Sequence, residues 1–332
     1  MRFPVSLHIA MTRYLLGRAI RGEKRFPLVL MLEPTHRCNL KCQGCGRIRE
    51  YRETLDRELS LEQCVRSVEE CPAPVVTITG GEPLLYREIG PLVREVLRRN
   101  RHIYLCSNGL LLERSLELFD PTPRLSFNIH LDGPREVHDA IIGTEGVFDR
   151  AMEGIRAAKE KGFRVTTNTT IYRETDPRDL DLLFHILSQA KVDGILLAPA
   201  YHYEAVEESL FLTRGEIIKK FREIEGLCRK YKVISTPLYL DFLMGRRSLR
   251  CTPWGNPTRN PVGWKSPCYL ITDGHFTSYR ELMEKTDWER FASGADPRCE
   301  HCMMHCGYEP TVVRELAGSI PDLWRMILWN LR

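Results

Sequence analysis

Apolar residues recur along this chain at two spacings. Over 5–22, Leu7, Met11, Tyr14, Leu15 and Ala19 share one side of a 3.6-residue repeat while Arg13 and Arg21 lie elsewhere, which predicts an amphipathic helix within an N-terminal segment 1–26. The apolar run 26–34, stopped by Pro34, predicts the first strand. Ser60 and Gln63 form a capping box that opens a helix. Strands follow at 75–79, 102–107, 124–131, 163–171 and 194–199, with helical patterns at 91–99, 147–161 and 177–190 between them. Repeated strand–helix units predict a parallel sheet with helices outside. Six such units fall short of a closed eight-stranded barrel, so the expected fold class is α/β, an open or partial (β/α)6 barrel, with the site at the carboxyl ends of the strands. After Ala200 the pattern changes. One long helix is expected over 213–231 and a loop-rich stretch over 250–268, placing a boundary near residue 210. The domains expected are thus a barrel over 27–210, a cysteine-containing C-terminal domain over 211–315 and an amphipathic tail helix over 316–332.

The 332 residues carry 48 Lys+Arg against 44 Asp+Glu, a balance of +4 that argues against a nucleic-acid partner. With 43% hydrophobic and 28% charged residues the composition is globular. The longest apolar run, 26–32, is far short of the ~20 residues that span a bilayer. Cysteine is the outlier, with twelve. Arginines at 13, 18 and 21 interrupt any secretory h-region, so a cytoplasmic protein is expected, where clustered cysteines serve metal or redox chemistry.

Cys38, Cys42 and Cys45 stand in a Cys-x3-Cys-x2-Cys loop after the first strand. Three thiolates on so short a loop suit three irons of a 4Fe–4S cluster, leaving the fourth iron open. A zinc site completed by His36 is the alternative. The spacing and its place in the fold resemble the signature of radical S-adenosylmethionine (SAM) enzymes, which implies a radical SAM barrel. Further residues carry that resemblance. Gly80, Gly81, Glu82 and Pro83 end the second strand, where the family holds the amino group of SAM. Ser107 and Asn108 end the third, where it contacts ribose; His130, Asp132 and Asn168, on the fourth and fifth, reach ribose or the methionyl carboxylate. One departure is Gly44, where most members carry an aromatic residue; it leaves room beside the cluster.

Longer stretches, 27–46, 127–140, 145–172, 251–260, 263–270 and 296–311, resemble the adenosylhopane synthases of hopanoid biosynthesis. That resemblance implies a transferase that adds the 5′-deoxyadenosyl radical of SAM to the alkene of a hopene such as diploptene. It implies a hydrophobic triterpene substrate, a flavodoxin- or ferredoxin-type electron donor, and a hydrogen donor that quenches the tertiary carbon radical; the thiol of Cys106 is the candidate. A peptide-modifying radical SAM enzyme and a non-catalytic iron–sulfur or zinc protein are the competing classes. Near the end, Cys299, Cys302 and Cys306, with Cys268 as fourth ligand and Cys251 as a further candidate, suggest a second site, either another 4Fe–4S cluster or zinc; the alternative is reduced cysteines without metal. The terminal helices 5–22 and 316–332 either cover the barrel core or contact the inner membrane face peripherally.

Overall fold

The computed structural model describes residues 1–201 and 211–331. Helix α1 (Val5–Ile20) precedes strand β1 (Val29–Leu32), which leads through the cysteine loop to α2 (Gly46–Glu50) and α3 (Leu61–Glu70). Strand β2 (Val75–Ile78) is followed by α4 (Ile89–Arg98), β3 (His102–Ser107) by α5 (Leu112–Ser115), and β4 (Leu125–His130) by α6 (Arg135–Ile142) and α7 (Val147–Glu160). Then come β5 (Arg164–Ile171), α8 (Pro177–Gln189) and β6 (Gly194–Pro199). Both limbs of the Ser60–Gln63 capping box are present, satisfying two donors that the start of α3 would otherwise leave unpaired.

Strands β1 to β6 pair in parallel and in sequence order, as the alternation requires. One face of these strands packs on the helices: Leu105, Phe127, Ile129 and Val165 are fully or almost fully buried in the main core. The alternate positions Tyr104, Cys106, Asn128, His130 and Asn168 are only half-buried, because they face the inside of the barrel.

Past β6 the expectation needs correcting. The single helix expected over 213–231 is two, α9 (Arg214–Glu223) and α10 (Glu225–Lys230), parted at Ile224, whose backbone leaves the helical region as its side chain enters the core. After α11 (Pro237–Leu243), the stretch 250–268 is more than loop. It holds β7 (Thr258–Arg259) and β8 (Trp264–Pro267), which with β9 (Thr272–Phe276) extend the sheet to nine strands in the order β6-β5-β4-β3-β2-β1-β7-β8-β9. Strand β7 pairs in parallel with β1 and caps an edge that six strands alone would leave open. Helices α12 (Tyr279–Lys285), α13 (Trp288–Ala292), α14 (His305–Glu315) and α15 (Ile320–Leu331) complete the chain. The boundary expected near residue 210 falls at the edge of the undescribed stretch 202–210. No helix among the described residues is long and apolar enough to cross a membrane.

Helix α1 lies across the amino ends of the strands. Tyr14 donates to the Pro27 carbonyl (2.7 Å), Ser6 Oγ meets His102 Nε2 at the start of β3 (3.2 Å), and Arg164 at the start of β5 donates to the Arg2 carbonyl. The cysteine loop occupies the opposite end.

Candidate active site

The loop after β1 is fixed at its root by the turn after β2. Gly81 N donates to Thr35 O (3.1 Å) and Glu82 N to Arg37 O (2.7 Å). Gly80 has φ +118°, and a Cβ on Gly81 would stand 2.0 Å from Arg37 O. What approaches these glycines closely is therefore the backbone of the cysteine loop. Glu82 is fully buried, and its carboxylate accepts from Leu84 N (3.0 Å), Ser107 Oγ (3.0 Å) and Asn108 N (2.9 Å). Burial raises its pKa to about 7 against these three donors. Pro83 opens the short 3₁₀ turn behind it. Asn108 in turn donates to Asn39 Oδ1 in the cysteine loop (2.8 Å). The motifs at the ends of β2 and β3 and the loop after β1 thus form one hydrogen-bonded unit.

The parallel register sorts the inward-facing residues into layers. Cys106, Asn128 and Thr166 are neighbours across β3, β4 and β5; one step toward the carboxyl ends, His130 pairs with Asn168. In the upper layer His130 Nε2 meets Asp132 Oδ2 (2.7 Å). Burial opposes a charged imidazole there, but the Asp132 carboxylate outweighs it and raises the His130 pKa. Asp132 Oδ1 is already held by Thr170 N (2.8 Å). Asn168 Oδ1 is buried without a hydrogen-bond partner among the described residues, an acceptor free for a ligand's donor. In the lower layer Asn128 Nδ2 lies 3.5 Å from Cys106 Sγ, and burial raises that thiol to about 11. Cys106 is half-buried and in no disulfide.

Cys38, Cys42 and Cys45 are free and half-buried, and Cys45 caps α2. Burial raises the Cys38 thiol to about 11 and Cys42 to about 12. Among the described residues no three His, Cys, Asp or Glu side chains are arranged to hold a single metal ion. An iron–sulfur cube sets a different geometry, because each thiolate binds its own iron and no common point is needed. Three thiols on one loop, with an unpartnered Asn168 acceptor toward the same end of the barrel, fit a cluster with a polar ligand against it. The room expected at Gly44 is filled. A Cβ there would lie 2.9 Å from Tyr172 Oη and 3.2 Å from the Tyr172 ring, so an aromatic from the end of β5 stands where one was missing from the loop.

Cys268, Cys299, Cys302 and Cys306 gather around Tyr201, Leu270 and Ile271. Cys251 joins them, its Sγ 2.6 Å from where a Cβ on Gly307 would be. All five are free thiols, raised by burial, Cys299 to about 11 and Cys302 to about 12.

Sequence reasoning missed what joins the two cysteine groups. Arg47, almost fully buried, donates to the Tyr269 carbonyl (2.6 Å) and lies 4.0 Å over the Tyr269 ring, next to Cys268. It pairs with buried Glu33 (3.2 Å) and with Glu50 (3.1 Å), and Glu50 pairs with Lys265 (3.0 Å). Lys265 also donates to the Tyr269 carbonyl (2.9 Å). Partners more than 200 residues apart leave no local signal; an arginine two places after a ligand cysteine was the only hint.

Comparison with known proteins agrees with this architecture. Residues 32–186 match the radical SAM superfamily, and residues 195–326 match a domain of unknown function (DUF3463). Fe-coproporphyrin III synthase of Methanosarcina barkeri is 29% identical over 171 residues, covering 50% of this chain and 42% of that protein. The chain thus spans less than half of that relative's length. AdoMet-dependent heme synthase of Oleidesulfovibrio alaskensis is 29% identical over 313 residues, 83% of this chain and 80% of that one. In fold, Streptococcus suis SuiB bound to precursor peptide SuiA superposes with TM-score 0.64 at 16% identity, over 86% of this chain and 69% of its own. The protein anSMEcpe with bound AdoMet gives TM-score 0.60 at 16% identity, over 92% and 97%. The match of residues 32–186 to the radical SAM superfamily implies a 4Fe–4S cluster and bound SAM.

Proposed function

We propose that this chain joins the 5′-deoxyadenosyl group of SAM to the alkene carbon of a hopene-type triterpene, forming a carbon–carbon bond. When bound, the cluster and SAM supply a 5′-deoxyadenosyl radical. Cys38, Cys42 and Cys45 would hold the cluster, and Asn108, His130, Asp132 and Asn168 line the end of the barrel nearest to them. The backbone around Gly80–Pro83 would position SAM indirectly, through its grip on the cysteine loop.

The observation that carries the reading is the place and state of Cys106. Addition to a 1,1-disubstituted alkene leaves a tertiary carbon radical, which must take a hydrogen atom. An S–H bond is weaker than the tertiary C–H bond formed, so the transfer runs downhill. Cys106 faces the barrel interior one layer below His130 and Asn168, and burial raises its pKa to about 11, which keeps the S–H that the transfer requires at neutral pH. The sulfur radical left on Cys106 is restored by one electron and one proton, the electron coming from a low-potential donor of the ferredoxin or flavodoxin class.

Anaerobic incubation with SAM, dithionite and diploptene, read by mass spectrometry, tests this. An adenosine-bearing product formed by the wild type, with SAM cleavage but no reduced adduct from Cys106→Ala, supports the reading. Unchanged reduced adduct from Cys106→Ala removes the thiol from the reaction. The second reading, chemistry on a haem precursor, is favoured by the match to a heme synthase over 83% of the chain. Turnover of a haem precursor with diploptene left inert would select it.

The second cysteine group would take a 4Fe–4S cluster rather than the zinc also expected, because no three of these side chains among the described residues converge on one point. Iron remaining in a Cys38/Cys42/Cys45 triple-Ala variant supports a cluster there, and zinc in its place would contradict it.

A further inference from the structure

Large apolar side chains on α15 are exposed at a helical spacing. Ile320, Leu323, Trp324, Ile327, Leu328 and Leu331, three or four residues apart, form one outward stripe between 41% and 72% exposed. Helix α1 does the same. Val5, Ile9, Leu16 and Ile20 fall within about 60° of one another around a 3.6-residue helix, and none is less than 47% exposed. These two helices carry ten of the fourteen large apolar side chains exposed among the described residues. Elsewhere such side chains are scattered singly, as on any protein surface.

The two helices that carry these stripes are joined. Arg2 N donates to Asn330 O (3.0 Å) and Phe3 N to Asn330 Oδ1 (2.8 Å). The Phe3 and Trp329 rings lie 5.8 Å apart, and the buried Arg2 side chain anchors the joint by donating to Val233 O (3.0 Å). The start of α1 is thereby locked to the end of α15.

Charge identifies the occupant. Residues 1–25 contain six Arg and Lys and a single acidic residue, Glu23. Glu23 is taken up by Arg18 (2.5 Å) and Arg21 (2.7 Å). Arg13, Lys24 and Arg25 are exposed beside the apolar face of α1. A second copy of the chain fits poorly, because a two-fold contact sets the same positive surface against itself. An anionic lipid surface meets both requirements, since acyl chains take the apolar stripes and headgroups take the cations.

We infer that α1 and α15 together form a docking face for anionic phospholipid bilayers. The inference stands apart from the proposed reaction, because the face lies against the amino ends of the strands, away from the cysteine loop. Contact there tethers the enzyme with its site turned away from the bilayer. A hydrocarbon substrate would then enter by another route.

The test uses the full chain and co-sedimentation with vesicles of phosphatidylcholine alone or mixed with phosphatidylglycerol. The wild type should sediment with the mixed vesicles, less so at high salt, and with a blue shift in tryptophan emission. The exposed double substitutions Ile9→Glu/Leu16→Glu and Trp324→Glu/Leu328→Glu should each weaken binding about tenfold or more, given roughly 0.8 kcal/mol for each buried CH₂. Far-UV circular dichroism checks that they still fold, and sedimentation velocity without lipid should give the same species for all. Equal binding to both vesicle types overturns the inference, as does binding untouched by the substitutions. A wild-type dimer that they dissociate overturns it too, in favour of self-association.

Discussion

Gly81→Ala is the smallest change that should separate the cysteine loop from the barrel. A methyl group there would sit 2.0 Å from Arg37 O, 2.5 Å from Arg37 C and 2.6 Å from His36 O, all backbone atoms that cannot rotate away. Contacts below 3.0 Å do not persist, so the two segments must part by at least 1 Å at the closest point. That movement stretches the bonds from Gly81 N to Thr35 O (3.1 Å) and from Glu82 N to Arg37 O (2.7 Å). At about 1 kcal/mol for each bond and about 1–3 kcal/mol for the overpacking, the local cost is roughly 3–5 kcal/mol. The barrel strands are not involved, so the protein should fold. The assay is iron and sulfide content after anaerobic reconstitution, with thermal unfolding alongside. The variant should retain its circular dichroism, melt lower, and lose most of the iron assigned to Cys38, Cys42 and Cys45. Full iron content at an unchanged melting temperature would refute the argument that this glycine sets the loop.

Three further outcomes follow from the same geometry. Glu82 is held neutral by burial up to about pH 7, against 4.5 when unfolded, so the stability it lends is complete below about pH 4.5 and lost as pH rises to about 7. Over that window the wild type should lose up to about 3 kcal/mol relative to Glu82→Gln, from 1.36 kcal/mol per pKa unit; parallel urea-stability profiles would contradict this. Arg47→Met should destabilise by about 3–5 kcal/mol by leaving Glu33 buried and unpaired, with much of the loss recovered in Arg47→Met/Glu33→Gln, as read from urea midpoints. Gly44→Phe should clash with Tyr172 and weaken SAM binding in equilibrium dialysis, and Gly44→Phe/Tyr172→Ala should restore it; identical affinity in all three proteins would exclude the Tyr172 ring from the site.

What the chain reveals locally was readable, and what depends on distant pairing was not. Runs such as 102–107 and 194–199 announce strands because alternate residues meet helices and the barrel interior, and Ser60–Gln63 announces its helix because the cap is built within four residues. Strand β7 is two residues long and is held between β1 and β8, so no periodicity marks it. Gly44 alone implied an opening; the ring that closes it comes from Tyr172, 128 positions later. The glycines after β2 were legible as part of a SAM-holding motif, but not that what approaches them is the cysteine loop itself. Glu82 was readable as part of that motif, yet its three internal donors become visible only in the fold.

Electron paramagnetic resonance of the reduced, reconstituted protein tests the central claim most directly. If Cys38, Cys42 and Cys45 leave one iron open beside Asn168 and His130, adding SAM should change the 4Fe–4S signal, and the triple-Ala variant should show no such change. A wild-type spectrum indifferent to SAM would contradict the account.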